Sequence, residues 1–151
     1  MDHVAILRKS VASKESNLLK DIIDGKKTIE SRWYVNKIAP WDRVKKGDAV
    51  YFKESGGLVY AKVLVSNVYQ YEKPNKVQID KIISEYGKKI APSSSSADLK
   101  RWSKDLHNKN YCILIFLKNV EKVLPFPINK GGYGVSCAWM CVEDINRVKK
   151  S

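Results

Sequence analysis

Apolar residues recur along this chain with two periods, and the change of period marks out the elements. Residues 3–9 read as a short strand. Leu18, Leu19, Ile22 and Ile23 then fall at i, i+1, i+4 and i+5, one face of a helix. Ser13 or Ser16 is the expected cap of that helix, and Gly25 its stop, because a glycine adopts the positive φ of a helix end without a Cβ clash. Alternation returns from Thr28 to Trp33, in Ala49-Val50-Tyr51-Phe52-Lys53, and from Leu58 to Tyr69, three predicted strands. Lys46-Gly47-Asp48 and Gly56-Gly57 are the turns that precede the second and third. After Pro74 the helical period resumes in Val77, Ile79, Ile82, Ile83 and Tyr86, closed by Gly87. A serine-rich loop follows, with Ser96 as cap of a second helix through Leu106. Tyr111 to Val123 is again β. Pro125 and Pro127 break that run before a glycine-rich hairpin at Lys130-Gly131-Gly132, and Val135 to Val142 supply a last strand before a fraying lysine-ended tail.

These elements predict an α+β domain: a compact barrel of five or six mostly antiparallel strands, flanked by two or three helices. With 151 residues, no internal repeat and no linker, residues 1–151 read as a single domain. Hydrophobic residues at 44% and charged residues at 29% exclude a disordered chain. No apolar run approaches the roughly 20 residues of a membrane span, and the start has too short an apolar stretch for a signal peptide. An intracellular protein is expected, in the cytoplasm or, in a eukaryote, the nucleus. Three cysteines cannot all pair, and Cys137 and Cys141 have no histidine near them in sequence, so neither a disulfide framework nor a zinc site is predicted. No metal or other cofactor is called for.

Charge changes the picture most. The net charge is +12, and thirds divided at residues 50 and 110 carry +4, +5 and +3, so the excess belongs to the whole body. Such a surface attracts polyanions, and RNA or a nucleotide is the expected partner. A lysine-rich solvated surface alone would give the same count.

The densest chemistry lies in Gly25-Lys26-Lys27-Thr28-Ile29-Glu30-Ser31-Arg32-Trp33. In an extended chain Glu30 and Arg32 share one face while Ile29 and Ser31 take the other. Ile29 then enters a core, and a carboxylate and a guanidinium stand together opposite it. Lys27 offers a point charge for phosphate, Arg32 a planar fork for phosphate or a base edge, and Glu30 an acceptor for an exocyclic amine. An ordinary Glu30–Arg32 ion pair on a solvated strand is the plain alternative. Trp33, Tyr34 and Trp41 follow, interleaved with Lys37 and Arg43, as rings flanked by cations suit stacking on unpaired bases. Trp33 is expected to line a cleft and Trp41 to pack. Lys53 ends a strand beside a Gly-Gly turn, where its amine could reach over a barrel mouth. Lys130, beside Gly131 and Gly132, could form an anion-binding nest, with the Ser136 hydroxyl close behind.

The spacing Gly25-x-Lys27-x-x-Glu30-x-Arg32 resembles the signature of ASCH domains, small proteins related in fold to PUA RNA-binding domains. The variant GKKTIESRW is most similar to the activating-signal-cointegrator and endothelial-regulator type. The resemblance implies a PUA-like β-barrel whose motif strand lines a ligand cleft, with Lys53 and a basic Gly-Gly segment near it. Some ASCH proteins hydrolyse acetylated cytidine through a motif threonine; here Glu30 stands at that nucleophile position, which makes the same mechanism doubtful. Others are described as cleaving RNA with lysine, tyrosine and serine, for which Lys53, Tyr34 or Tyr51, and Ser136 are the nearest types here. The leading expectation is therefore an RNA- or nucleotide-binding domain that uses Lys27, Glu30, Arg32, Trp33, Lys53, Lys130 and Ser136. An enzyme acting on RNA or a modified nucleoside, and a protein-interaction domain of a transcription or translation complex, are the alternatives. No catalytic residue is assigned.

Overall fold

A computed structural model describes residues 1–8, 17–134 and 137–150. Six strands form one sheet: β1 (Asp2–Leu7), β2 (Ile29–Tyr34), β3 (Ala49–Glu54), β4 (Val59–Glu72), β5 (Tyr111–Phe126) and β6 (Trp139–Glu143). Their order is β2-β5-β4-β3-β1-β6, antiparallel throughout except for β1 beside β3. The sheet curls into a half-barrel. Three register shifts interrupt the long β4–β5 ribbon. Bulges of that kind bend a ribbon and increase its twist, which is how two strands serve both ends of the barrel.

Among the described residues three helices complete the fold. Helix α1 (Leu18–Ile23) plugs the barrel, burying Leu19 and Ile22 against Val50, Phe52, Val63 and Ile115. Its N-cap is Asn17, whose side chain accepts from the Lys20 N–H; Ser13 and Ser16 lie outside the described residues. Gly25, with φ of 76°, follows the helix end as expected. Helices α2 (Lys76–Ile90) and α3 (Ser96–Asp105) cover the other side of β2 and β5, where Ile79, Ile83, Leu99 and Trp102 meet Ile29, Cys112 and Leu114. Each such fully buried aliphatic side chain contributes about 1.5–3 kcal/mol. A third apolar group packs the opposite side of β1, β3 and β6, ending in a 3-10 turn at Ile145–Arg147.

Several boundaries differ from the sequence expectation, each for a local reason. Helix α2 runs past Gly87 to Ile90, because Gly87 serves close helix packing: a Cβ there would lie 3.0 Å from a Leu99 methyl. Val77 sits on its solvent side, 75% exposed. Ser95, one residue before the expected Ser96, caps α3 in a reciprocal box with Asp98. β5 continues through Pro125, which falls between the Lys122 and Phe126 pairing positions, where a register shift in the β4–β5 ladder accommodates a residue without an N–H. Lys130-Gly131-Gly132 is a turn within the crossing from β5 to β6, and not a hairpin, because β6 pairs with β1. The tail through residue 150 is anchored: Val148 is buried, Ile128 bridges Lys149, and the Lys150 N–H donates to Pro127 O.

Candidate functional site

Strand β2 forms one edge of the sheet, and its bonding pattern decides what each residue does. Leu117 N donates to Thr28 O, and the register continues through Glu30↔Ile115 and Arg32↔Ile113. Antiparallel pairing alternates, so the backbone of Glu30, Arg32 and Tyr34 faces β5 while that of Ile29, Ser31 and Trp33 faces outward. Side chains alternate independently across the sheet. Ile29 and Trp33 join the helix-covered side, where the Trp33 Nε1 donates to Ser31 Oγ at 3.1 Å and its ring meets Trp102 edge-on at 6.4 Å. Glu30 and Arg32 take the inner side.

There the motif makes a buried ion triad. Lys27 is 1% exposed, and its Nζ donates to Ile29 O and Ile90 O, both at 2.7 Å, and lies 3.2 Å from Glu30 Oε1. Three partners use all three ammonium protons. Arg32 Nη2 is 2.9 Å from Glu30 Oε2 and 3.3 Å from Ile6 O, while Nη1 donates to Ala138 O at 3.2 Å. The guanidinium thus ties one edge of the curled sheet to β1 and to the start of β6, and closes the half-barrel. It also lies over the Trp139 ring, 5.3 Å from its centroid.

Charge coupling follows. Burial pushes the Glu30 carboxyl upward, but Lys27 and Arg32 outweigh it and hold the group below its ordinary value. Burial lowers Lys27, only partly opposed by Glu30. Arg32 is depressed by burial yet raised overall by Glu30 and by its contact with Tyr34. Tyr34 is raised, burial exceeding the opposite effect of Arg32, so its phenol stays protonated near neutrality.

The triad forms part of the wall of a cleft of about 840 Å³ that straddles the β2 edge. Five aromatic residues line it: Trp33 and Trp102 on the helical side, Tyr34, Tyr133 and Trp139 elsewhere. Arg8 and Lys109 add two cations besides the triad, and Asp105 one carboxylate. Ile90 and Ala91 bring the end of α2 to the cleft wall.

The structure brings Lys27, Glu30, Arg32 and Trp33 together, with Lys27 as a bound strut and not a mobile cation. Trp41 packs edge-on against Tyr111 at 5.0 Å, with Lys37 over both rings. Lys53 does not line the cleft; it is 7% exposed beside Ile6 in β1, and burial, then the charge of Lys130, lower its pKa. Lys130 donates to Cys137 O at 2.9 Å, tying its loop to a residue that does line the cleft. Tyr51 packs against Phe126 away from it. Ser136 lies outside the described residues.

Sequence reasoning missed Trp102, Tyr133, Trp139, Arg8 and Lys109, which reach the cleft from four separate segments. It also missed what supports Trp139. That indole Nε1 donates to His3 Nδ1 at 3.1 Å, so the opposite nitrogen carries the proton toward Asp48 Oδ2 at 2.8 Å. Burial lowers the His3 pKa against the pull of Asp48. A neutral histidine therefore holds a cleft-lining ring.

No family model and no curated protein matches the sequence. Among solved structures the chain is similar to a serine-to-alanine variant of ASCH from Zymomonas mobilis. Identity is 16%, over 92% of this chain and 86% of that one, with a TM-score of 0.59. A tyrosine-to-phenylalanine variant of the same protein gives 15% identity over 92% and 88%, with a TM-score of 0.58. Likeness at this identity establishes the fold.

Proposed function

We propose that this chain, whose fold is that of the ASCH domains, binds single-stranded RNA by taking one unpaired base into the cleft at the β2 edge. The observation that carries the reading is the lining: five aromatic residues and two arginines around a cleft of about 840 Å³ in a body of net charge +12. Stacking on such rings is worth about 1–3 kcal/mol per base. Arg8 and Lys109, at the cleft and outside the triad, are placed to meet the flanking phosphates. Lys53, paired with cleft-lining Ile6, and Lys130, bound to cleft-lining Cys137, add to that positive field.

Binding is favoured over hydrolysis by the state of Glu30. Both of its oxygens are engaged, by Ser31 N and Lys27 on one side and Arg32 on the other, and its carboxyl sits below the ordinary range. Such a carboxylate is a weak nucleophile and a weak base. Its role is to set Arg32.

Fluorescence anisotropy with a short labelled single-stranded RNA tests the reading. Affinity falls as salt rises, each phosphate contact adding about 0.7 to the log–log slope. Arg8→Glu and Lys109→Glu together weaken binding and flatten that slope. Unchanged affinity in this double variant would remove the cleft from the account.

A further inference from the structure

Resting on the cleft as an RNA site, we infer that the backbone of Trp33 is the element that reads the base. Along the outward edge of β2 the ion triad takes one backbone group of each of the first two outward-facing residues. Ile29 O accepts from Lys27 Nζ, and Ser31 N donates to Glu30 Oε1 at 3.1 Å. Beyond the strand, Val35 O accepts from Asn110 Nδ2 at 2.9 Å. Among the described residues Trp33 is then the one outward-facing residue of β2 with neither its N–H nor its C=O engaged, and it lines the cleft.

The length of this gap selects the occupant. An added peptide strand needs several consecutive open residues to gain from ladder hydrogen bonds. Here the ion triad closes one end and Asn110 the other, so only one residue's donor and acceptor are open. A planar base needs no more. Every nucleobase presents an adjacent donor and acceptor on its pairing edge, and the N–H and C=O of one extended residue form the complement. Such a base enters edge-on, in the plane of the sheet. Its two faces then look toward the two walls that β2 separates: Trp33 and Trp102 on one side, Arg32, Tyr34 and Trp139 on the other. The ion triad gains a purpose here. By occupying Ile29 O and Ser31 N it frames the reading position and keeps a second strand from pairing.

The test uses the wild-type ¹⁵N-labelled protein, so no variant has to fold. Short single-stranded RNAs are titrated in, one intact and one with a single abasic position in otherwise identical backbone. The Trp33 amide proton is expected to move downfield with the intact RNA and to stay in place with the abasic one. Affinity for the abasic RNA is expected to fall roughly tenfold or more. A nucleoside monophosphate methylated on its pairing edge is expected to leave the Trp33 amide unmoved. Equal binding of both RNAs with a still Trp33 amide would overturn base reading while leaving an RNA-binding cleft intact. Absence of binding by either RNA would overturn both. A Trp33 shift produced by an extended peptide and not by RNA would assign the edge to strand addition and overturn the inference.

Discussion

Replacing Glu30 with glutamine removes one charge from the middle of a triad that has almost no solvent. Glu30 is 4% exposed and Lys27 1%. Removing one member of a buried ion pair typically costs about 3–5 kcal/mol, because the remaining charge keeps its desolvation cost and loses its counter-charge. The glutamine oxygen can still accept from Arg32 or Ser31, which restores about 1 kcal/mol. The expected loss is therefore about 2–4 kcal/mol. For a chain of this size it lowers Tm by roughly 4–16 °C. Urea unfolding at neutral pH, with circular dichroism as the probe, measures it. Lys27→Met deletes the orphaned ammonium, so the double variant is expected to be more stable than the sum of the single losses by about 1–3 kcal/mol. pH supplies an independent check. The folded Glu30 carboxyl lies below its ordinary value, so on acidification the unfolded chain takes up the proton first. Its stabilising contribution is complete above pH about 4.5 and is lost as pH falls from there through the folded value. Glu30→Gln should remove that part of the acid slope. A loss below about 1 kcal/mol with an unchanged acid slope would refute the buried triad.

Other parts of the fold make separate predictions. His3 is held neutral, so its contribution is complete above the ordinary histidine value near 6.5 and declines as pH falls below it; long-range ¹H–¹⁵N imidazole spectra should show the Nε2–H tautomer persisting to more acidic pH than in a free histidine. Gly87→Val is expected to destabilise by about 1–3 kcal/mol in denaturant, and by less in a Leu99→Ala background, because the new methyls meet the Leu99 side chain. Ser95→Ala should cost about 1 kcal/mol by unmaking the α3 capping box, whereas Ser96→Ala should cost little, as calorimetry on the two variants would show.

The sheet was legible because alternation and turns are local. Gly25 and the Gly56-Gly57 pair follow the ends of α1 and β3, and Gly47 precedes the start of β3. Errors arose where tertiary contact overrode a local signal. Gly87 reads as a helix stop, yet it is where Leu99 comes closest to α2. Pro125 reads as a strand breaker, yet it falls where a register shift already interrupts the β4–β5 ladder. The site divides along the same line. Glu30 and Arg32 are two residues apart on one strand, so their pairing follows from alternation. That Lys27 would be saturated follows from Ile90, sixty-three residues away, and no local pattern signals it. Lys53 looked equivalent on an alternating strand, but the curled sheet brings β1 and β6 round to Arg32, and β3 lies behind β1. Trp139 is invisible as a cleft residue until β6 is paired with β1 and His3 is placed beneath its indole.

Photo-crosslinking tests most directly whether the cleft at the β2 edge is where RNA binds. A short single-stranded RNA carrying 4-thiouridine is irradiated with the protein, and the attached peptides are mapped by mass spectrometry. Adducts are expected on Trp33 or Tyr34, on Trp102, Asp105, Leu106 or Lys109, or on Tyr133, all at the cleft. Adducts confined to the exposed side chains of the β4–β5 ribbon, such as Tyr60, Tyr69 and Leu124, would contradict it.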